Sequence, residues 1–216
     1  QTKVTMDFTN KVVIVTGASS GIGAASALLF ARHGARLSLI GRNELRLKKI
    51  AEQCKQASGF DHLSIRLDLT APGSCAEVIN KTVATYERID VLVNCAGKLV
   101  LGSLFDDNTD VFDEMIDIHL RVPYKLTHLA IPHLVKTKGN IVNLNGTKFV
   151  RVRHGFIPYH ISKAGLERFS KSAAIDNNIK VIEPEEVAKM VVFVASGVCP
   201  NINGADLSIN GAAALL

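Results

Sequence analysis

Tryptophan is absent from this chain, aromatic residues make up 6% of it, and its four cysteines form no CxxC pair. Cys54, Cys75, Cys95 and Cys199 are scattered. That spacing excludes a disulfide framework or a cysteine zinc site and points to reduced thiols in the cytoplasm. No apolar run approaches a membrane span, and the polar start Gln1-Thr2-Lys3 does not look like a secretory signal. Charge of one sign is not segregated either. The net +5 comes from basic residues mixed with acids, as in Arg42-Asn43-Glu44-Leu45-Arg46. With so few aromatics this reads as a solvated surface, and no nucleic-acid partner is expected. The 216 residues are 47% hydrophobic, enough for one buried core. No linker, repeat or low-complexity tract interrupts them, so a single domain over 1–216 is expected.

What the chain does have is the apolar run Val12-Val13-Ile14-Val15 leading into Thr16-Gly17-Ala18-Ser19-Ser20-Gly21-Ile22-Gly23. A strand buried on both faces delivers its end into a glycine-rich turn, and an alanine-rich helix follows to about Ala31. Gly17 allows the tight turn, Gly21 lets backbone approach a pyrophosphate, and Gly23 lets the helix pack on the strand. The first N–H groups of that helix then face an anion. A dinucleotide site is expected here, with Ser19, Ser20 and Ile22 in the same turn.

Strands are expected at Leu37–Ile40, Leu63–Leu67, Val91–Asn94 and Asn140–Leu144. A helix carries Leu45, Leu47, Ile50 and Ala51 on one face and stops near Ser58-Gly59. Another opens on the capping box Ser74-Cys75-Ala76-Glu77, and long helices span about Val111–Val135 and Tyr159–Ala174. Strands alternating with helices predict an α/β, doubly wound parallel sheet. The second strand ends in Gly41-Arg42 where an acidic residue would hold a ribose 2′-hydroxyl. A guanidinium suits a 2′-phosphate instead, so NADP(H) is expected ahead of NAD(H). Asp68, followed by Leu69 at the end of the third strand, is placed to accept from an adenine amino group.

Tyr159 and Lys163 stand at i and i+4, on one helical face. A lysine ammonium there favours a phenolate, which suits the tyrosine to acid–base work. Together with the glycine turn and Asn94-Cys95-Ala96-Gly97, this sequence resembles the short-chain dehydrogenase/reductase family over nearly its whole length. Tyr159 with Lys163 matches the family's Y-x-x-x-K, and Asn94 to Gly97 is a one-residue variant of its N-N-A-G. Pro184–Ala188 and Gly204–Gly211 look like its last helix and last strand. The resemblance implies hydride transfer between a nicotinamide and a carbonyl or secondary alcohol, with Tyr159 protonating the developing alkoxide. It implies that Lys163 holds the nicotinamide ribose, that Tyr159 also contacts the cofactor, that Asn94, Ala96 and Gly97 line it, and that the chain forms a homodimer or homotetramer through its long helices.

Three departures stand against the family pattern. His119 occupies the position of a catalytic asparagine, whose main-chain carbonyl role survives a side-chain change. Gly146 falls where the family places a substrate-polarising serine, although Asn145 and Thr147 are nearby donors. After Ile175-Asp176-Asn177-Asn178 the chain passes almost directly to Pro184, without the sixth strand and substrate lid. A few dozen residues omitted near Asp176–Asn178, and a shorter stretch between Leu144 and Asn145, would restore both. Two readings follow. One is an NADPH-dependent reductase or dehydrogenase for a small lipophilic substrate (a steroid, isoprenoid or 3-oxoacyl compound), lined by residues such as Leu99, Val100, Leu101, Phe149, Phe156 and Ile157. The other is a catalytically silent dinucleotide-binding scaffold or sensor.

Overall fold

The computed structural model describes residues 7–145 and 154–176. Contacts divide the chain into two compact units, Met6–Glu167 and a second that joins Gln1–Thr5 to Arg168–Leu216. The described residues of the second unit, 168–176, are helical.

Five strands build the sheet of the first unit: β1 (Val12–Thr16), β2 (Arg36–Gly41), β3 (Leu63–Arg66), β4 (Val91–Asn94) and β5 (Asn140–Asn143). All pairings are parallel, in the order β3-β2-β1-β4-β5. The order reverses between β1 and β4, and a crevice opens outside the carboxyl ends of strands at such a point.

The continuous apolar run of β1 feeds both faces. Ile14 joins Ile40, Leu92 and Leu126 on one side, while Val13 and Val15 join Ala27, Leu37 and Leu47 on the other. Helices α1 (Gly21–Arg32) and α2 (Glu44–Ser58) cover the second face. Helices α3 (Ser74–Tyr86) and α5 (Val122–Thr137) cover the first. The doubly wound α/β architecture is therefore as its sequence pattern predicts.

Three local expectations are corrected. Leu45 is 81% exposed, so the inward stripe of α2 is Leu47 with Cys54, flanked by half-buried Ile50 and Ala51. Positions 45 and 47 lie about 200° apart on a helix and cannot share a face. The capping box does not form, because Gly73 takes the N-cap position at φ 80° and places Ser74 inside the helix. Glu77 pairs with Lys81 instead, at 2.7 Å. The long helix is also not uniform. Between α4 (Asp110–Ile116) and α5 lies a π turn, Asp117–Arg121, with His119 buried in it. Single π turns of this kind mark an inserted residue and recur at functional sites.

At the opposite end of the sheet from the crevice, Asp90 is 3% exposed and accepts from Arg88 Nε and Nη2 at 2.8 and 2.7 Å, Lys11 Nζ at 3.2 Å and Val12 N–H at 2.9 Å. Burial opposes its ionisation. The bonds from Arg88, Val12 and Lys11 outweigh it and hold the carboxyl below its usual range. Asp90→Ala leaves Arg88 and the Val12 amide without their partner, and the expected loss is roughly 3 kcal/mol of unfolding free energy in urea denaturation.

Candidate active site

The glycine turn is held from two sides. Ala18 N–H donates to Ile40 O at 2.9 Å, which docks the turn on β2. Thr16 Oγ1 donates to Val93 O at 3.1 Å and accepts from the Cys95 and Ala96 N–H groups at 2.9 and 3.0 Å, fastening β1 to the loop after β4. Gly17 has φ +70°, and a Cβ there would sit 3.0 Å from Ala96 Cα. A Cβ on Gly23 would lie 2.4 Å from Gly17 O, whereas one on Gly21 would meet nothing within 4 Å. Gly23 thus makes close packing possible, and Gly21 leaves open space before the helix end. No side chain caps α1 and no acidic residue stands in its first turn, so its positive end is left for an anion.

In front of it lies a cavity of about 950 Å³. It gathers the turn from Gly17 through Ser19, Ser20, Gly21, Ile22 and Gly23, then Arg42, then Asp68 with Leu69, then Ala96 with Gly97. This cradle fits a dinucleotide in size, in its anion-accepting helix end and in the cation at its far margin. Arg42 Nη1 lies 3.5 Å from Asp68 Oδ2, both side chains being largely solvated. Asp68 also accepts from Thr70 N–H and Oγ1 at 3.0 and 2.8 Å. The Thr70 amide, ahead of the Arg42 charge, lowers its pKa. Sequence reading missed several further residues of the wall, Arg46, Lys98, Glu114 and Ile118 among them. Lys98 and Glu114 form an ion pair there. Asn94, expected among the cofactor contacts, does not line the cavity. It is buried and donates through Nδ2 to Asn143 Oδ1 at 2.8 Å, joining the ends of β4 and β5.

The expected chemical residues lie on the π turn and on α6 (Ile157–Asp176). Lys163 Nζ is 5.9 Å from the centre of the Tyr159 ring and donates to Leu144 O at 2.9 Å. Burial lowers the Lys163 pKa from its ordinary value. Asn145, considered as a donor in place of the family serine, gives its Nδ2 hydrogen bond to Lys163 O at 3.1 Å. The end of β5 and the first half of α6 are thereby joined. His119 is 2% exposed, and its ring meets Tyr159 edge-on at 5.3 Å. Phe156 lies 6.5 Å from the Tyr159 ring, and the Gly102–Phe156 bridge brings the loop after β4 beside it. In that loop Leu99 and Leu101 are more than half exposed, and Leu104 and Phe105 almost fully so. Gly146, Thr147, Phe149, the segments near Pro184 and Gly204, and the proposed break near Asp176–Asn178 fall wholly or partly outside the described residues.

Burial, with the Lys163 and Lys98 charges, pushes the His119 pKa down to about 4. The folded state therefore refuses a proton that the unfolded chain accepts near pH 6.5. This contribution to stability is intact above pH 6.5, is lost as pH falls toward 4, and levels off below. It amounts to about 3 kcal/mol. The expected result is that acidification from pH 7.5 to 4.5 destabilises the wild type more than His119→Asn, read by urea unfolding at both pH values.

Among the described residues no helix is long and apolar enough to cross a membrane. Cys54, Cys75 and Cys95 are free thiols.

The sequence matches the family profile described as short chain dehydrogenase over residues 11–194. Among curated proteins it is 39% identical over 134 residues to 11-beta-hydroxysteroid dehydrogenase-like 4A of Arabidopsis thaliana, covering 61% of this chain and 44% of that protein. The chain spans about half the length of the curated relatives of that name that it matches. Meso-2,3-butanediol dehydrogenase of Serratia marcescens is 27% identical across 244 aligned positions, covering 96% of each. Those positions outnumber the 216 residues here, so that enzyme carries more than two dozen residues with no counterpart in this chain.

Among solved structures, a short-chain dehydrogenase/reductase of Caenorhabditis elegans with cofactor is 34% identical at TM-score 0.72, covering 78% of this chain and 65% of that one. A short chain dehydrogenase of Shigella flexneri complexed with NADP is 28% identical at TM-score 0.72, covering 78% and 72%. An NAD+-bound xylitol dehydrogenase is 25% identical at TM-score 0.73, covering 80% and 66%.

Proposed function

This chain belongs to the short chain dehydrogenase family, and from that premise we propose that it is an NADPH-dependent reductase of a small lipophilic ketone or aldehyde, or the corresponding alcohol dehydrogenase. The observation that carries the reading is the 950 Å³ cavity at the sheet's reversal point. It is built on the Gly17–Gly23 turn and bounded by Arg42. When bound, the dinucleotide supplies or takes the hydride. The chain's own part would be to hold it: the open end of α1 would take the pyrophosphate, and Arg42, with Arg46 in the first turn of α2, would take a 2′-phosphate. Tyr159 then gives its hydroxyl proton to the oxygen that gains charge, and the Lys163 ammonium stabilises the phenolate left behind. The exposed apolar loop at Leu99 and Leu101, with Phe156 beside Tyr159, supports a lipophilic substrate, and the steroid dehydrogenase-like relatives agree with one.

The test is oxidation of NADPH and of NADH against a panel of steroid, isoprenoid and 3-oxoacyl carbonyls. NADPH turnover above NADH is expected. Arg42→Asp should raise the NADPH KM by on the order of 10- to 100-fold while sparing NADH, since a charge-assisted phosphate contact is worth about 1.5–3 kcal/mol. A specific observation favours a silent dinucleotide-binding protein as the second reading: the Lys163 ammonium is engaged by Leu144 O, 5.9 Å from the ring it serves. Tight NADPH binding without turnover would select it. Assembly as a homodimer or homotetramer and a cytoplasmic location belong to the same proposal, and light scattering reads the first.

A further inference from the structure

We infer that His119 is a positioning residue, a neutral clasp that fixes the loop after β4 to the helical turn carrying Tyr159. The imidazole sits between the two. Its Nε2 accepts from the Lys98 N–H at 3.3 Å, and its Nδ1 meets Ser162 Oγ at 3.1 Å. Ser162 Oγ in turn donates to Tyr159 O at 2.8 Å.

These partners fix every proton in the chain. A backbone amide can only donate, so Nε2 must be the bare nitrogen and Nδ1 must carry the hydrogen. Because the single Ser162 proton goes to the Tyr159 carbonyl, Ser162 Oγ receives the one on Nδ1. The chain ends on a main-chain carbonyl, not on the Tyr159 hydroxyl, and so offers no path to a reacting atom. What it offers is geometry.

Sterics say the same. Ser162 is 0% exposed and His119 2%. Gly97 has no side chain, and a Cβ there would lie 2.9 Å from His119 Nε2. Likewise a Cβ on Gly165 would lie 2.8 Å from Leu120 Cδ2, so the π turn is packed to contact against the loop after β4 at His119 and against α6 at Leu120. The edge-on contact with Tyr159 completes the seat. The charged groups facing the ring are Lys163 and Lys98, both of which oppose its protonation. Gly97 and Lys98 line the dinucleotide cavity, and so the clasp ties the cofactor wall to the proton-donor helix.

The clasp itself is independent of the reductase reading; only its effect on rate rests on it. The experiment therefore has two arms. In the first, the unliganded protein is labelled with [¹⁵N]histidine, and His119 is identified by loss of one of the seven histidine signals in His119→Asn or by its contact with the Tyr159 ring. The Nδ1–H tautomer, still neutral at pH 5.5, is expected. The Nε2–H tautomer, or protonation near pH 6.5 as in a solvated histidine, would overturn the proposal whether or not the chain turns over. In the second, Ser162→Ala should lower kcat on the order of 10-fold and leave the apparent pKa values of the pH–rate profile in place. An unchanged kcat, or a displaced profile in His119→Phe, would overturn positioning in favour of an inert packing residue or a proton relay, respectively.

Discussion

Tyr159→Phe is expected to lower the proposed NADPH-dependent carbonyl reduction by about 10³-fold, within the range spanned by loss of a general acid, while NADPH affinity should stay within about twofold. The substitution removes one oxygen. The ring that packs edge-on against His119 at 5.3 Å and lies 6.5 Å from Phe156 is retained. The Tyr159 carbonyl that Ser162 holds does not depend on the phenol. The cofactor cavity is lined from other elements, α1, β2, the stretch after β3, the loop after β4 and the α4–π region, and does not include Tyr159. A comparable loss of cofactor affinity would mean that the phenol serves binding rather than proton transfer. Steady-state rates and fluorescence titration with NADPH separate the two.

Gly23→Ala is expected to weaken NADPH binding on the order of 10- to 100-fold and to lower the thermal midpoint. The added Cβ would lie 2.4 Å from Gly17 O, 2.8 Å from Gly17 C and 3.3 Å from Ala18 N. All three are backbone atoms of the turn itself, so no side chain can rotate out of the way. Helix α1 must draw back from the turn or the turn must open. Such overpacking costs roughly 1–3 kcal/mol, and the displaced helix end is the one aimed at the cavity. Gly59→Ala is the matched control. Its φ of +85° makes the substitution strained, but a Cβ there meets nothing within 4 Å and the residue does not line the cavity. It should lose stability and keep its NADPH affinity.

Features written in short spacings were legible in the sequence. The glycine turn, the strand before it and the Tyr159–Lys163 pair depend on residues within one turn of each other, and the parallel α/β order follows from alternation of patterns. Features that join distant segments were not. Thr16 fastens amides 79 and 80 residues away. His119 meets Ser162 across 43 residues. Nothing in either local pattern announces its partner. The capping box at Ser74 failed because a single residue, Gly73, moved the helix start. Leu45 points outward because it stands about 200° from Leu47 around the helix, so an apolar residue there cannot share the buried face. The π turn at Asp117–Arg121 was hidden within an apolar periodicity that reads as one continuous helix.

The most direct measurement is transfer of deuterium from [4-²H]NADPH to a lipophilic ketone by the purified protein, followed by mass spectrometry of the alcohol. The reductase account predicts deuterium at the carbinol carbon in the wild type and none above background in Tyr159→Phe. NADPH that binds the wild type tightly yet delivers no deuterium to any ketone of the panel would contradict it and leave a dinucleotide-binding protein without hydride chemistry.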